Sequence, residues 1–314
     1  MGALRGRWVP IAGRVLTAER QTLRLPDGRS IAHRPLSPGE RRRRLLASVG
    51  THAMLIATSA MFLLPMVFVI ATSLMTDHQS LTRELWPRPF EWGNFAKVFA
   101  RIDLLRFTWN TTQIAVLSTV GVVVSSVPVA YALSRMRWRG RQAAFLLVLA
   151  TLMLPFQVTV VPLYVIFVRL HWIGSLKPLI VPSFFGDAFS IFLLRQFFLT
   201  IPDELSDAAR VDGASEWQIM TRVIVPLAKP AIAAIALFNF LYNWNDFFGP
   251  LLYIGTNKQL YTLSLALSEF RTVHHVEWNL TMAASLLFML PVIVIFFLAQ
   301  RVFVEGVTLT GVKG

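Results

Sequence analysis

Cysteine is absent from this chain of 314 residues. Disulfides, thiol nucleophiles and cysteine-ligated metal sites are therefore excluded. Charge is sparse: Asp, Glu, Lys and Arg together make up 15% of the residues, and the acids number 17. Neither a pair of close acids, nor a His cluster, nor a nucleophile–base set of the kind a polytopic membrane enzyme needs is evident. His274 and His275 are adjacent but have no companion ligand set, so no metal is expected. The Gly-x-x-x-x-Gly-Lys-Ser/Thr pattern that cradles phosphate is missing, which assigns any nucleotide hydrolysis to another polypeptide. The first 45 residues are basic and mostly polar, without the apolar centre of a cleavable signal peptide.

What is plentiful is apolar length. Hydrophobic residues reach 55% and the mean hydropathy is +0.57. Six long apolar runs stand near 52–74, 110–133, 142–168, 178–194, 230–254 and 278–300. Each nearly matches or exceeds the roughly 30 Å hydrocarbon core at 1.5 Å rise per residue. Only Asp187 interrupts the fourth and Asp246 the fifth. The expected architecture is an all-α polytopic membrane protein with six transmembrane helices. With the N-terminus inside, most of the 30 Lys and Arg fall in inside segments, and Arg135, Arg137, Arg139 and Arg141 concentrate the signal in one short loop. Both termini are then expected to be cytoplasmic. On this reading the net charge of +13 reflects loop placement, and no nucleic-acid partner is implied.

Smaller signals fit this layout. Pro26-Asp27-Gly28, between alternating apolar and polar residues, predicts a hairpin in the tail. Arg41 to Arg44 suit an interfacial anchor for anionic lipid. Trp86, Trp92, Trp109, Trp138, Trp172 and Trp278 fall near span ends as an aromatic belt. Pro155, Pro162, Pro182, Pro250 and Pro291 are expected to kink spans.

The loop at 199–229 differs from the rest because it is charged and helix-patterned. Pro202, Asp203 and Glu204 suit the start of a helix over 203–211. Asp212 and Gly213 suit its end. Ser215 and Gln218 have capping-box spacing, and Pro226 and Pro230 end the helix that follows. Ala208 and Ala209 leave a small surface that another protein can approach closely. From chemistry alone two readings stay open, an amphipathic connector on the membrane surface or a docking element for a soluble partner.

Polar residues inside spans are costly and tend to face the bundle interior. Asn239, Asn243 and Asp246 recur at i, i+4 and i+7, and Ser183, Asp187 and Ser190 repeat that spacing. Two such stripes, with Trp244 and Asn245 beside the first, can line a hydrated path for a hydroxylated solute. Helix–helix hydrogen bonding accounts for them equally well.

Asp207-Ala208-Ala209, Asp212-Gly213-Ala214 and Ile224-Val225-Pro226-Leu227 resemble the EAA loop of ATP-binding-cassette importer permeases. Met153-Leu154-Pro155, Val161-Pro162-Leu163-Tyr164, Leu193-Leu194-Arg195-Gln196-Phe197-Phe198, Trp244-Asn245-Asp246 and the ending from Gly306 to Gly314 are similar to the carbohydrate-uptake branch, in particular its maltose-permease-G-like subunits. The resemblance runs from about residue 50 to the end. It departs at Asp207, where the family has glutamate: the charge stays and one methylene of reach is lost. The resemblance implies a type I importer transmembrane fold in the bacterial inner membrane, with a permease domain at 46–314 whose core is 107–301; the basic tail at 1–45 is read from its composition and lies outside the resemblance. It implies a transport subunit rather than an enzyme, with Glu204, Asp207, Ala208, Ala209, Asp212, Gly213, Ala214 and Ser215 docking on an ATPase. The implied partners are a second homologous permease, two nucleotide-binding subunits that carry ATP and Mg, an extracytoplasmic solute-binding protein and membrane lipid. The implied solute is a sugar or oligosaccharide, with glycerol-3-phosphate or another polyol as the alternative.

Overall fold

The computed structural model describes residues 22–24, 30–32, 38–271 and 276–310. The chain divides into two units, Met1–Leu64 and Pro65–Gly314. In the first, β1 (Thr22–Arg24) and β2 (Ser30–Ala32) pair antiparallel with Leu23 opposite Ile31. Pro26-Asp27-Gly28 lies outside the described residues, as do His274 and His275. The long helix α1 (Pro38–Ser73) begins in this unit, and its apolar portion Leu45–Ser73 is long enough to cross a membrane.

The second unit is helical. α2 (Asp77–Ser80) and α3 (Gly93–Arg101) precede α4 (Leu104–Ser134), which is the axis of the fold. Asp103 caps α4 by accepting from the Arg106 N–H at 3.3 Å. α5 (Arg141–Leu152) and α6 (Phe156–Arg169) meet at 95° around Pro155, which cannot continue a helix. α7 (Lys177–Ile180), a 3₁₀ turn (Val181–Phe185) and α8 (Ala188–Phe198) form the fourth crossing, which is interrupted. α9 (Asp203–Val211), α10 (Glu216–Ile219), a π turn (Met220–Ile224) and α11 (Val225–Leu227) lead into α12 (Lys229–Asn245), bent by 79° at Ala228. α13 (Phe248–Tyr253), α14 (Leu263–Ala266) and α15 (Trp278–Thr310) complete the chain. Among the described residues, four helices are long and apolar enough to span, and the two bent pairs bring the number to six. This agrees with the six apolar runs.

α4 packs against both α8 and α12, which also touch each other. Two cores result. Phe107, Trp244, Phe270, Leu280 and Ala284 fill one; Leu194, Phe198, Ile219, Ile224 and Ile235 fill the other, beneath α9 and α10.

The crossing at 177–198 departs from expectation. Pro182 and Gly186 (φ 97°) prevent one continuous helix. Ser183, Asp187 and Ser190 therefore do not share a helical stripe. Broken backbone within a bundle needs other partners, and α4 supplies them. Ser118 Oγ donates to the Leu179 carbonyl at 2.9 Å, Ser125 Oγ donates to the Ser183 carbonyl at 3.1 Å, and Ser126 Oγ accepts from the Asp187 N–H at 3.3 Å. Gly121 sits among these serines, and a Cβ there would lie 2.8 Å from the Phe184 ring. The missing side chain is what lets the interrupted segment approach.

Candidate functional site

The segment from Asp203 to Leu227 is built as a stiff elbow. Asp203 and Glu204 stand in the first turn of α9, at its positive end, and Arg210 in its last turn. The Gly213 N–H donates to the Arg210 carbonyl at 3.0 Å and the Ala214 N–H to the Ala209 carbonyl at 2.9 Å. That pair of bonds is a Schellman ending, and it requires the left-handed residue that Gly213 provides at φ 81°. Ser215 and Gln218 exchange the two bonds of a capping box, at 3.3 and 2.8 Å. Each cap expected from the sequence is present.

Tertiary contacts stiffen the elbow further. Arg210 joins Asp207 at 2.8 Å and Glu216 at 2.9 Å. The Tyr131 hydroxyl donates to the same Glu216 carboxylate at 2.5 Å. A chain of contacts thus runs from α9 through α10 to α4. The hydrogen bonds to Glu216 and Asp207 push the Arg210 guanidinium above its ordinary pKa, so it stays charged at any physiological pH.

Arg135, just past the end of α4, lies below this network with its side chain 2% exposed. It donates to the carbonyls of Phe198 and Ile201 and pairs with Asp203. Sequence reasoning counted Arg135 only as one positive charge in an inside loop and gave no role to Tyr131, Arg210 or Glu216. Partners 68 and 85 positions apart leave no local pattern.

Much of the outer surface of the elbow is exposed among the described residues. Glu204, Asp207, Ala208, Asp212, Gly213 and Ser215 are exposed, and Ala209 and Ala214 are half-buried. Val211, 88% exposed, and Trp217, 66% exposed, stand beside them. Val211 and Trp217 thus put large apolar surface on the same face as the exposed acids. Val211 and Trp217 were visible in sequence, but their direction was not.

The structure separates the six candidate residues of the solute path. Asp187 caps α8, accepting from the Ser190 N–H at 2.8 Å. Asn239 and Asn243 bond to each other at 3.0 Å, and Asn239 accepts from Thr119 at 3.3 Å, so this pair ties α12 to α4. Asp246 is not a third member of their helical stripe. α12 stops at Asn245, Asp246 is extended (φ −65°, ψ 120°), and its carboxylate accepts from the Gly249 N–H at 3.1 Å.

Asp246 lines a cavity of about 630 Å³ with Gln157, Tyr242, Tyr253, Phe156 and Phe248. One carboxylate, one amide and several aromatic faces suit a hydroxylated ring. Trp244 points the other way: it is 5% exposed, stacks on Phe240 at 5.4 Å and donates to the Phe288 carbonyl at 3.3 Å. Asn245 and the edge of Trp244 border a second cavity of about 530 Å³ with Ser264, Ser268 and Arg271. Among the described residues, no group of three or more His, Asp or Glu converges to hold a metal.

Comparison with known proteins adds the family. The arabinooligosaccharides transport system permease protein AraQ of Halalkalibacterium halodurans is 33% identical over 230 residues, covering 73% of this chain and 81% of that protein. The sn-glycerol-3-phosphate transport system permease protein UgpE of Pectobacterium atrosepticum is 35% identical over 283 residues, covering 85% and 97%. The crystal structure of a bacterial ABC transporter involved in import of the acidic polysaccharide alginate superposes with a TM-score of 0.69 at 22% identity, over 86% of this chain and 99% of that one, and it shares the fold. The model for "binding-protein-dependent transport system inner membrane component" matches residues 123–309, which include the elbow, the interrupted crossing and both cavities. The chain belongs to that family, and it is a multi-pass permease subunit of an ABC importer in the inner membrane.

Proposed function

We propose that this permease subunit moves a sugar or oligosaccharide by alternating access, and that the elbow at 203–227 transmits the work of separate ATPase subunits. The observation that carries this is the elbow itself. It is capped at both turns, tied to α4 through Tyr131 and Arg135, and leaves Asp207, Ala208 and Val211 exposed. A ligand or nucleotide shifts a two-state equilibrium only through differential contacts, and a rigid element carries such a shift without dissipating it in local bending. On this reading the elbow and both termini are cytoplasmic, residues 1–45 are a tail, and residues 46–314 are the permease domain. A second homologous permease, two ATPase subunits holding ATP and Mg, and an extracytoplasmic solute-binding protein complete the assembly. The cavity at Asp246 is this subunit's share of the solute path.

Gly213→Val tests the lever. No atom lies within 4 Å of a Cβ built at Gly213, so its cost is backbone strain alone, about 1–2 kcal/mol for a non-glycine residue in the left-handed region, and more for a β-branched one. The expected outcome in the reconstituted complex is solute-stimulated ATP hydrolysis uncoupled from uptake, with Gly213→Asn milder. Unchanged coupling in Gly213→Val counts against the lever.

Glycerol-3-phosphate is the second reading, favoured by the 35% identity to UgpE. The Asp246 carboxylate opposes an anion in the cavity it lines, which favours a neutral hydroxylated solute. Direct titration of the partner solute-binding protein with each compound separates the two.

A further inference from the structure

A cleft of about 820 Å³ opens where α4 and α8 end and α5 and α9 begin. Arg135, Arg137 and Arg141 form one wall, and Ser206, Asp207 and Arg210 the other. Ion pairs neutralise part of this charge, Arg135 with Asp203 and Arg210 with Asp207. Among the described residues, the Arg141 side chain donates only to the carbonyls of Ser134 and Met136, at 3.4 and 3.1 Å. Arg137 is exposed and has no hydrogen bond or ion pair among the described residues. The cleft therefore holds two cations without an anionic partner.

Two buried polar atoms on its walls are also unsatisfied. Among the described residues, Arg135 Nε and Ser206 Oγ have no hydrogen-bond partner, although the Arg135 side chain and Ser206 are each only 2% exposed. Buried donors without acceptors are costly and point to a missing group. The unpaired charges of Arg137 and Arg141 favour an anion there and the unmet donors favour acceptor oxygens; a phosphate offers both, and guanidinium forks match its geometry. Asp203 does not bar the way to Arg135, because its side chain is 76% exposed and can exchange the contact for water at little cost.

We propose that this cleft is a phosphate-binding site on the permease, held by Arg137 and Arg141 with Arg135 and Ser206 behind them. Trp138, 44% exposed, stands on the rim, and Leu199 and Ala143 add apolar wall. Basic pockets between the ends of membrane helices suit phospholipid headgroups. An anionic phospholipid and free phosphate share this chemistry, and the experiment distinguishes them.

The full chain, purified with its co-purifying subunits, is stripped of anionic lipid and titrated separately with phosphatidylglycerol, followed by native mass spectrometry, and with inorganic phosphate, followed by thermal shift. The variants are Arg137→Gln, the double variant with Arg141→Gln, and Arg139→Gln, which lies in the same loop but not on the cleft wall. Phosphatidylglycerol binding that weakens at least tenfold in the double variant and less than twofold in Arg139→Gln supports the site with lipid as the source. The same pattern for inorganic phosphate alone supports it with a soluble anion as the source. The proposal is overturned if neither probe distinguishes wild type from the double variant, or if Arg139→Gln weakens binding equally. Uptake is not read, so failure here leaves the transport reading intact.

Discussion

Arg135→Met offers the most direct test of how the elbow is fastened. The substitution keeps an unbranched apolar stem and deletes the guanidinium. The Phe198 carbonyl still accepts from the Ile201 N–H at 3.2 Å, whereas the Ile201 carbonyl loses its one partner among the described residues. Ile201 is 9% exposed, so water reaches that carbonyl poorly. One buried acceptor left unpaired costs about 1–3 kcal/mol. The lost ion pair adds less than about 1 kcal/mol, because the Asp203 side chain is largely in solvent. Removing the buried charge and its unpaired Nε returns part of this. The balance is about 2 kcal/mol against the seated elbow, or ~30-fold in its opening equilibrium at 1.4 kcal/mol per decade. Amide hydrogen exchange on the purified complex reads that equilibrium directly. Amides in α9 should exchange ~30-fold faster, while those in the first half of α15 stay unchanged. Unaltered protection in α9, in a variant that still assembles, would refute the idea that Arg135 holds the elbow down.

Other substitutions probe separate parts of the molecule. Glu216→Gln and Tyr131→Phe, combined in a double-mutant thermal unfolding cycle, should show a coupling of at least ~0.5 kcal/mol; additivity would mean that the 2.5 Å contact carries no energy. Gly121→Ala should destabilise by about 1–3 kcal/mol through overpacking, since its Cβ would meet the Phe184 ring at 2.8 Å and the Ser183 backbone at 3.1 Å. Gly93→Ala, with open space around its Cβ, serves as the near-neutral control in the same denaturation assay. Asp246→Asn removes the charge from the 630 Å³ cavity and should raise the apparent KM for solute uptake about tenfold without changing basal ATP hydrolysis. An unchanged KM would remove that cavity from the solute path.

What was legible in the amino-acid order was whatever a short stretch of chain settles alone. Run length and charge exclusion set the crossings, because each needs only about 20 consecutive apolar residues. Caps at Gly213 and Ser215 were readable because their partners lie within five residues. Helical periodicity failed at Asp187 and Asp246, where a proline, a glycine and an extended residue end the helix whose repeat was being extrapolated. Only the packed bundle decided that serines of α4 serve the backbone of the interrupted crossing, that Arg135 is buried beneath the elbow, and that Tyr131 reaches Glu216. Each of those contacts joins residues more than 50 positions apart, and a hydrogen bond depends on distance in space, which chain order alone does not specify.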